Sequence, residues 1–333
     1  MRACASARFL ERMMATDEEP DLFGTAGGSF ELPSVRPLGR VKQRLIRSAV
    51  EIEADDPESL LFQHTVFCQT GLPYRDPGAA IREWERAQGS VALKVQAGEA
   101  HNPETGAWVK LGLPWGSKPR LILTHLNSEA LRHGSPEIEV EDSLTAFVQR
   151  IRGFGPGGRE IRMFKDQLGR LSASLVRLAL TREGRSFQIN TQIVTAFDLW
   201  FPKDRRQRVL WPSTVQLSSD YFQSLQRHAV PLDERAVAAL SHSALGLDVY
   251  AWLAQRLHRV PVEKPAFIPW SAVKAQFGPD YRRMVDFKRK FRKTLTLVCS
   301  QYRGARIELD DAGATLRNSP PPVKGKLTLL PNS

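Results

Sequence analysis

Apolar residues in the last third of the chain recur at three- and four-residue intervals. Tyr281, Met284, Phe287, Phe291, Leu295 and Val298 share one side of a helix at about 100° per residue. The spacing predicts a helix over 281–298 whose apolar side is seated in a core. Ahead of it, Pro269 suits a helix first turn, 270–277 supply a short helix, and Gly278-Pro279 stop it. Asp280 is expected to cap the following helix. The reading is helix, short turn, helix.

Upstream, 243–260 reads as a helix with Leu245, Val249, Trp252, Leu253 and Leu257 inward. Downstream, strands over 303–309 and 314–317 flank a turn at Asp310-Asp311-Ala312-Gly313. The first half repeats this order. A helix from Pro119 to Gly134, one after Asp142-Ser143, and one seated by Ile161, Phe164, Leu168 and Leu171 precede strands over 175–180 and 187–197 that turn around Gly184. Three helices and a hairpin, twice, predict an α+β protein of two tandem winged-helix domains, each a helix-turn-helix plus a β-hairpin. Between them, Ser218-Ser219 cap a helix over 220–227, and Pro231 and Asp233 suit the start of another. A short amphipathic helix fits 42–53, the segment 60–68 is apolar, and Val91 opens a strand-like run. The expected division is a mobile tail over 1–57, a first winged-helix domain over 58–215, a second over 216–320 and a loose tail over 321–333.

Composition narrows the class. With 333 residues, 42% hydrophobic and 25% charged, the chain has the make-up of a folded protein with room for two domains. Its formal charge of +11 and pI near 9.8 favour polyanionic partners. No apolar run approaches the roughly 18–20 residues that cross a bilayer, and the first residues lack a signal-peptide core, so a cytoplasmic protein without membrane partners is expected. Met13 and Met14 are alternative starts to Met1.

Charge is concentrated on the second helix of the pair. The window 281–293 holds seven Lys or Arg against one Asp. In a helix-turn-helix the second helix enters the major groove, so duplex DNA is the expected ligand. Candidate contacts are Arg282, Arg283, Lys288, Arg289, Lys290, Arg292 and Lys293, with Arg282, Arg289 and Lys293 opposite the apolar side. In the first half the outward candidates are Arg159, Arg162, Lys165 and Arg170. Arg182, Arg185, Arg306 and Arg317 of the hairpins are expected near adjacent phosphates. Asp286 is spaced to pair with Arg282 or Arg289, and Asp166 with Arg162 or Arg170.

Catalytic patterns are missing from the sequence. GFGPGG at 153–158 lacks the Lys-Ser or Lys-Thr end of a phosphate loop. The seven histidines show no metal-binding spacing, and no nucleophile elbow occurs. Cys4, Cys68 and Cys299 form no CxxC pair, so neither disulfides, metal nor cofactor are expected, and the chain reads as a binding protein and not an enzyme.

Five segments carry a family resemblance: LPYRDPG at 72–78, GLPWGSKPRLIL at 112–123, LWPSTVQLS at 210–218, VPLDERAVAALSHSALGLDVYAWLAQRLHR at 230–259 and IPWSAVKAQFGPDYRRMVDFKRKFRKTL at 268–295. Over roughly 72–323 the chain resembles the plasmid-encoded RepA family of replication initiators. The resemblance implies two winged-helix domains that bind repeated origin sites, help open AT-rich DNA, and bring in host initiator and helicase. It also implies a homodimer through the first domain when the protein represses its own gene. A two-module transcription repressor that never melts DNA stays open as the alternative, as does a metal-dependent nuclease.

Overall fold

The computed structural model describes residues 39–102, 105–139, 144–152, 155–182, 185–196 and 214–323. The expected terminal tails before 39 and after 323, the cap at Asp142-Ser143 and the end of the strand at 197 lie outside these residues.

The chain begins with α1 (Arg40–Ala54), β1 (Leu60–His64) and α2 (Thr65–Gln69), followed by strands β2 (Glu83–Gln88), β3 (Val91–Gln96), β4 (Glu99–Asn102) and β5 (Ala107–Lys110). The long helix α3 (Ser117–His133) ends at Gly134, whose φ of 64° and amide bond to the Ala130 carbonyl make the left-handed stop that glycine permits. Next come β6 (Glu137–Glu139), α4 (Leu144–Arg152), α5 (Gly158–Ala173), β7 (Leu175–Arg182), β8 (Arg185–Gln192) and β9 (Val194–Ala196). The remainder is β10 (Thr214–Leu217), α6 (Ser219–His228), β11 (Ala229–Asp233), α7 (Glu234–Leu240), α8 (Ala244–Arg256), β12 (Ala266–Pro269), α9 (Trp270–Phe277), α10 (Met284–Gln301), β13 (Ile307–Leu309) and β14 (Gly313–Leu316). Helices and antiparallel strands are mixed, an α+β arrangement.

Side-chain caps set three of the helix starts. Ser218 Oγ accepts from the Tyr221 amide at 3.3 Å, Asp233 Oδ1 from Arg235 at 2.8 Å, and Ser243 Oγ from Gly246 at 3.0 Å, capping α6, α7 and α8. Strand β3 buries Val91, Leu93 and Val95 on one face, as its alternating sequence requires.

Pairing goes further than the hairpins expected. Strands β7 and β8 do form a hairpin, and β2 and β3 extend it to a four-stranded sheet in the order β2-β3-β7-β8. The second hairpin gains a third strand: β12 pairs with β14, so the order is β12-β14-β13. A Cβ on Gly313 would stand 2.2 Å from the Ile268 carbonyl oxygen, so glycine is required where these strands meet.

The N-terminal stretch is a second departure. The helix expected over 42–53 runs Arg40–Ala54 and packs on α7 and α10, inside the stretch assigned to a mobile tail. Its Leu45 is buried, and the Leu45 carbonyl accepts from Gln301 Nε2 at 2.9 Å. Strand β1 pairs antiparallel with β11, Leu60 opposite Asp233, so residues before the expected boundary at 215 are sewn to residues after it. One cluster of buried apolar side chains runs from Leu45 to Leu316.

A buried ion pair crosses the same boundary. Arg120 of α3 meets Asp248 of α8 through two bonds, Nε to Oδ1 at 2.6 Å and a terminal nitrogen to Oδ2 at 2.7 Å. The guanidinium also donates to the carbonyls of Leu72, Gly116 and Pro73 at 2.6, 2.6 and 3.3 Å. These bonds fill the fork of a buried arginine, and a buried charge is tolerated only when so satisfied. Three of the resemblance segments, those at 72–78, 112–123 and 230–259, therefore build this clamp.

Candidate nucleic-acid interface

Helix α10 is held by aromatic rings. Phe287, Phe291, Leu295 and Val298 are buried, and Phe287 and Phe291 pack against Trp270 with ring centres 6.2 and 5.8 Å apart. Tyr281 and Met284 are partly buried against the same core. A Cβ on Gly278 would lie 2.3 Å from the Phe287 ring, so the turn between α9 and α10 closes only around a glycine.

The helix starts later than the sequence pattern predicts. Its first residue is Met284 and its cap position is Arg283, with no side-chain cap bond. Asp280 does not cap it; residues 279–283 form turn structure in between. The physical reason is the packing of Tyr281 against Phe287, ring centres 5.8 Å apart, which folds the turn over the first buried position of the helix. Arg282 therefore precedes the helix, and the partner of Asp286 is Arg283, not Arg282. Arg283 Nε donates to Asp286 Oδ2 at 2.6 Å, and Arg289 donates to Oδ1 at 3.0 Å. The hydrogen bond from Arg283 holds the Asp286 carboxyl below its ordinary pKa. Asp286 thus stays ionised and orients Arg289.

The seven cations divide into two groups. Lys288 and Arg292 lie over the Trp270 ring and donate to the carbonyls of Asp311 and Asp310 at 2.8 and 3.0 Å. They tie the helix to the tip of the β13–β14 hairpin. That tip is itself tight: Asp310 Oδ1 accepts from the amides of Gly313 and Ala312 at 2.7 and 2.8 Å, which lowers its pKa. Arg282, Arg283, Arg289, Lys290 and Lys293 are exposed, as is Arg292 beside the wing tip. On the outer face of α10, Arg289 has 78% of its side chain exposed, and Val285 is 65% exposed one turn ahead of it. An apolar side chain standing out between cations was not legible as a contact residue; its sole signal was falling opposite the buried positions.

The hairpin cations differ from one another. Arg306 is exposed beside β13, whereas Arg317 is paired to Glu308 through two bonds at 3.0 and 3.1 Å.

In the first half, Arg159 and Arg162 are exposed on α5 and Lys165 is half-buried. Arg170, expected outward, turns inward with 18% of its side chain exposed. It pairs with Asp166 at 3.0 Å and Asp76 at 3.5 Å and donates to the Leu113 carbonyl at 3.2 Å. Asp166 is the helical partner expected from spacing, but Asp76 and the Leu113 carbonyl come from loops distant in sequence, which is why helix periodicity alone misplaces Arg170. Arg185 is exposed on β8; the backbone of Arg182 pairs with it across the hairpin, and the Arg182 side chain lies outside the described set. The structure gathers the α10 cations and the β13–β14 tip into one place. Those of α5 sit on a separate element packed against α3 and α4.

Among the described residues, no three His, Cys, Asp or Glu side chains gather as a metal site, and no helix is long and apolar enough to cross a membrane.

Residues 113–271 match a protein family described as plasmid encoded RepA protein. The match spans α3 to the first turn of α9 and ends before α10. Two solved structures are similar in shape. One is the SeMet form of domains 2 and 3 of RctB, at 10% identity over 76% of this chain and 98% of that one, TM-score 0.46. The other, of RctB domains 2-3, shows 9% identity over 81% and 96%, TM-score 0.44. No curated protein sequence matches the chain.

Proposed function

We propose that this chain, whose residues 113–271 match the family described as plasmid encoded RepA protein, is a plasmid replication initiator that binds repeated duplex sites at its origin and promotes opening of the DNA beside them. The observation that carries this reading is the outer face of α10, where Arg289 and Lys293 stand exposed on a helix fixed by Trp270, Phe287 and Phe291.

In this reading α9, the turn and α10 are a helix-turn-helix, the β13–β14 hairpin is its wing, and α10 lies in the major groove. The earlier helices α3 to α5 with β7 and β8 are a second winged-helix unit. The helix Arg40–Ala54 goes with the C-terminal unit, on which it packs. Arg289 is placed to pair bidentately with guanine, a contact worth about 1–3 kcal/mol of base discrimination. Val285 offers methyl groups to a thymine methyl. Lys293, Lys290, Arg282 and Arg306 neutralise phosphates and release counterions. Lys288 and Arg292 brace the wing. The protein acts by binding, without catalysis, metal or cofactor of its own. Recruitment of host initiator and helicase, dimerisation through the first unit and a cytoplasmic location belong to the proposal through the family likeness.

Purified protein on supercoiled origin plasmid, probed with permanganate, tests the reading. Reactive thymines beside the protected repeats are expected. Protection without reactive thymines favours the repressor, and nicking of the plasmid with magnesium favours a nuclease.

A further inference from the structure

A cavity of about 1380 Å³ lies between the β7–β8 hairpin and the C-terminal ends of α6 and α8. It is larger than the roughly 300–1,000 Å³ of ordinary small-molecule sites. Its described lining includes Arg185, Phe187, Arg227, His228, Arg256 and Arg259, and no Asp or Glu. No residue of α10 or of the β13–β14 hairpin contributes to it.

Cations at helix C-termini are ordinary, because they complement the helix dipole, and that accounts for Arg227 and Arg256 taken alone. It does not account for the opposite wall. Arg185, Phe187 and Ile189 share one face of β8, as alternate residues of a strand do. Ile189 is buried in the core, while the Phe187 ring is 48% exposed and lines the cavity together with Arg185. An exposed ring flanked by arginines offers a flat apolar face on which a base can stack, with cations beside it for the phosphates.

We propose that this groove holds single-stranded DNA, with Phe187 as a stacking platform for a base and Arg185, Arg227, Arg256 and Arg259 following the phosphates. Exposed aromatics set in a cationic channel are the arrangement that binds unpaired strands without sequence choice. A duplex keeps its bases stacked inside and has no use for the ring. Arg185, expected at duplex phosphates, is assigned to this groove instead. The floor is tied to the reading motif, since Gln276 of α9 donates to the Gln69 carbonyl at 2.8 Å and Gln69 lines the groove. The inference goes beyond duplex recognition and does not depend on the assignment of α10.

The test uses the full chain, a fluorescent oligothymidylate of about 20 nucleotides and a random-sequence duplex of the same length. Phe187→Ala is expected to weaken oligothymidylate binding about tenfold, and Phe187→Tyr to keep it. The Arg227→Gln/Arg256→Gln double variant should lower the salt slope of that binding by roughly 1.4. All three should bind the duplex and melt as the unaltered protein does. Wild-type protein that ignores oligothymidylate overturns the proposal. So does a groove variant that loses duplex and single strand alike, or Phe187→Tyr as weak as Phe187→Ala. If Phe187→Ala melts early, the arginine pair, exposed and outside the core, decides the matter alone. Loss of duplex binding in Arg289→Glu/Lys293→Glu with oligothymidylate binding intact supports two separate sites. Its converse, loss of oligothymidylate binding there and not in the groove variants, sinks this one.

Discussion

Helices α5 and α10 both set a row of cations opposite an apolar row, yet they end differently. On α5, Arg170 is taken up by Asp76, Asp166 and the Leu113 carbonyl, and Glu160 pairs with Lys118 at 3.3 Å. On α10, the carboxylate within the helix, Asp286, engages Arg283 and Arg289 while leaving both largely exposed. The acceptors, not the cations, make the difference. Loops 72–78 and 110–116 bring acids and carbonyls to α5, whereas the wing tip engages α10 along one flank, at Lys288 and Arg292. Arg120 is the limiting case of capture, wholly enclosed with Asp248.

The sharpest way to test this contrast is at its extreme. Asp248→Ala strands a buried guanidinium and should cost about 3–5 kcal/mol of stability in urea unfolding. Arg289→Ala, on the exposed helix, should stay within about 0.5 kcal/mol. Equal losses would erase the distinction between captured and presented cations.

Buried imidazoles take the third course open to a basic group and stay neutral. Burial, followed by the nearby His228, lowers His64 from 6.5 to about 3, and burial lowers His125 to about 4. A histidine whose folded pKa is depressed stabilises the fold above its unfolded value and loses that contribution as pH falls. Unfolding free energy should therefore drop between pH 6.5 and about 4, by about 1.4 kcal/mol per pH unit for each histidine. His125→Gln should flatten that slope by one proton; an unchanged slope would show His125 charged in the fold.

For binding, Arg289→Glu/Lys293→Glu should weaken origin affinity about 10–100-fold and reduce the salt slope by about 2. Fluorescence anisotropy across a salt series reads both. Arg170→Ala should be about 1–2 kcal/mol less stable, with origin affinity unchanged. If Arg170→Ala instead lost affinity as the α10 pair does, α5 would be a presenting helix and the comparison would collapse.

Much of the fold was legible wherever the cause is local. The apolar spacing of Phe287, Phe291, Leu295 and Val298, the helix starts at Ser218 and Asp233, and the stop at Gly134 are each legible within one or two turns of chain and are found in the structure. The start of α10 was misread because Asp280 is a good cap in isolation, while Tyr281 has a ring to pack. The clamp at Arg120 was invisible because its carboxylate stands 128 residues away. The pairing of β1 with β11 and the docking of Arg40–Ala54 were missed for the same reason. Of the candidate site, the concentration of charge on one helix was readable; which cations remain available was not.

What the amino-acid order alone determined, then, is the position of the short elements and the presence of a cationic rod with an apolar seat, since backbone preferences and side-chain periodicity act over a few residues. What only the tertiary structure decided is which charges face solvent, which are enclosed, and where a groove opens between β8 and the ends of α6 and α8. Those outcomes depend on acceptors and walls supplied by residues far along the chain, and folding alone brings them together.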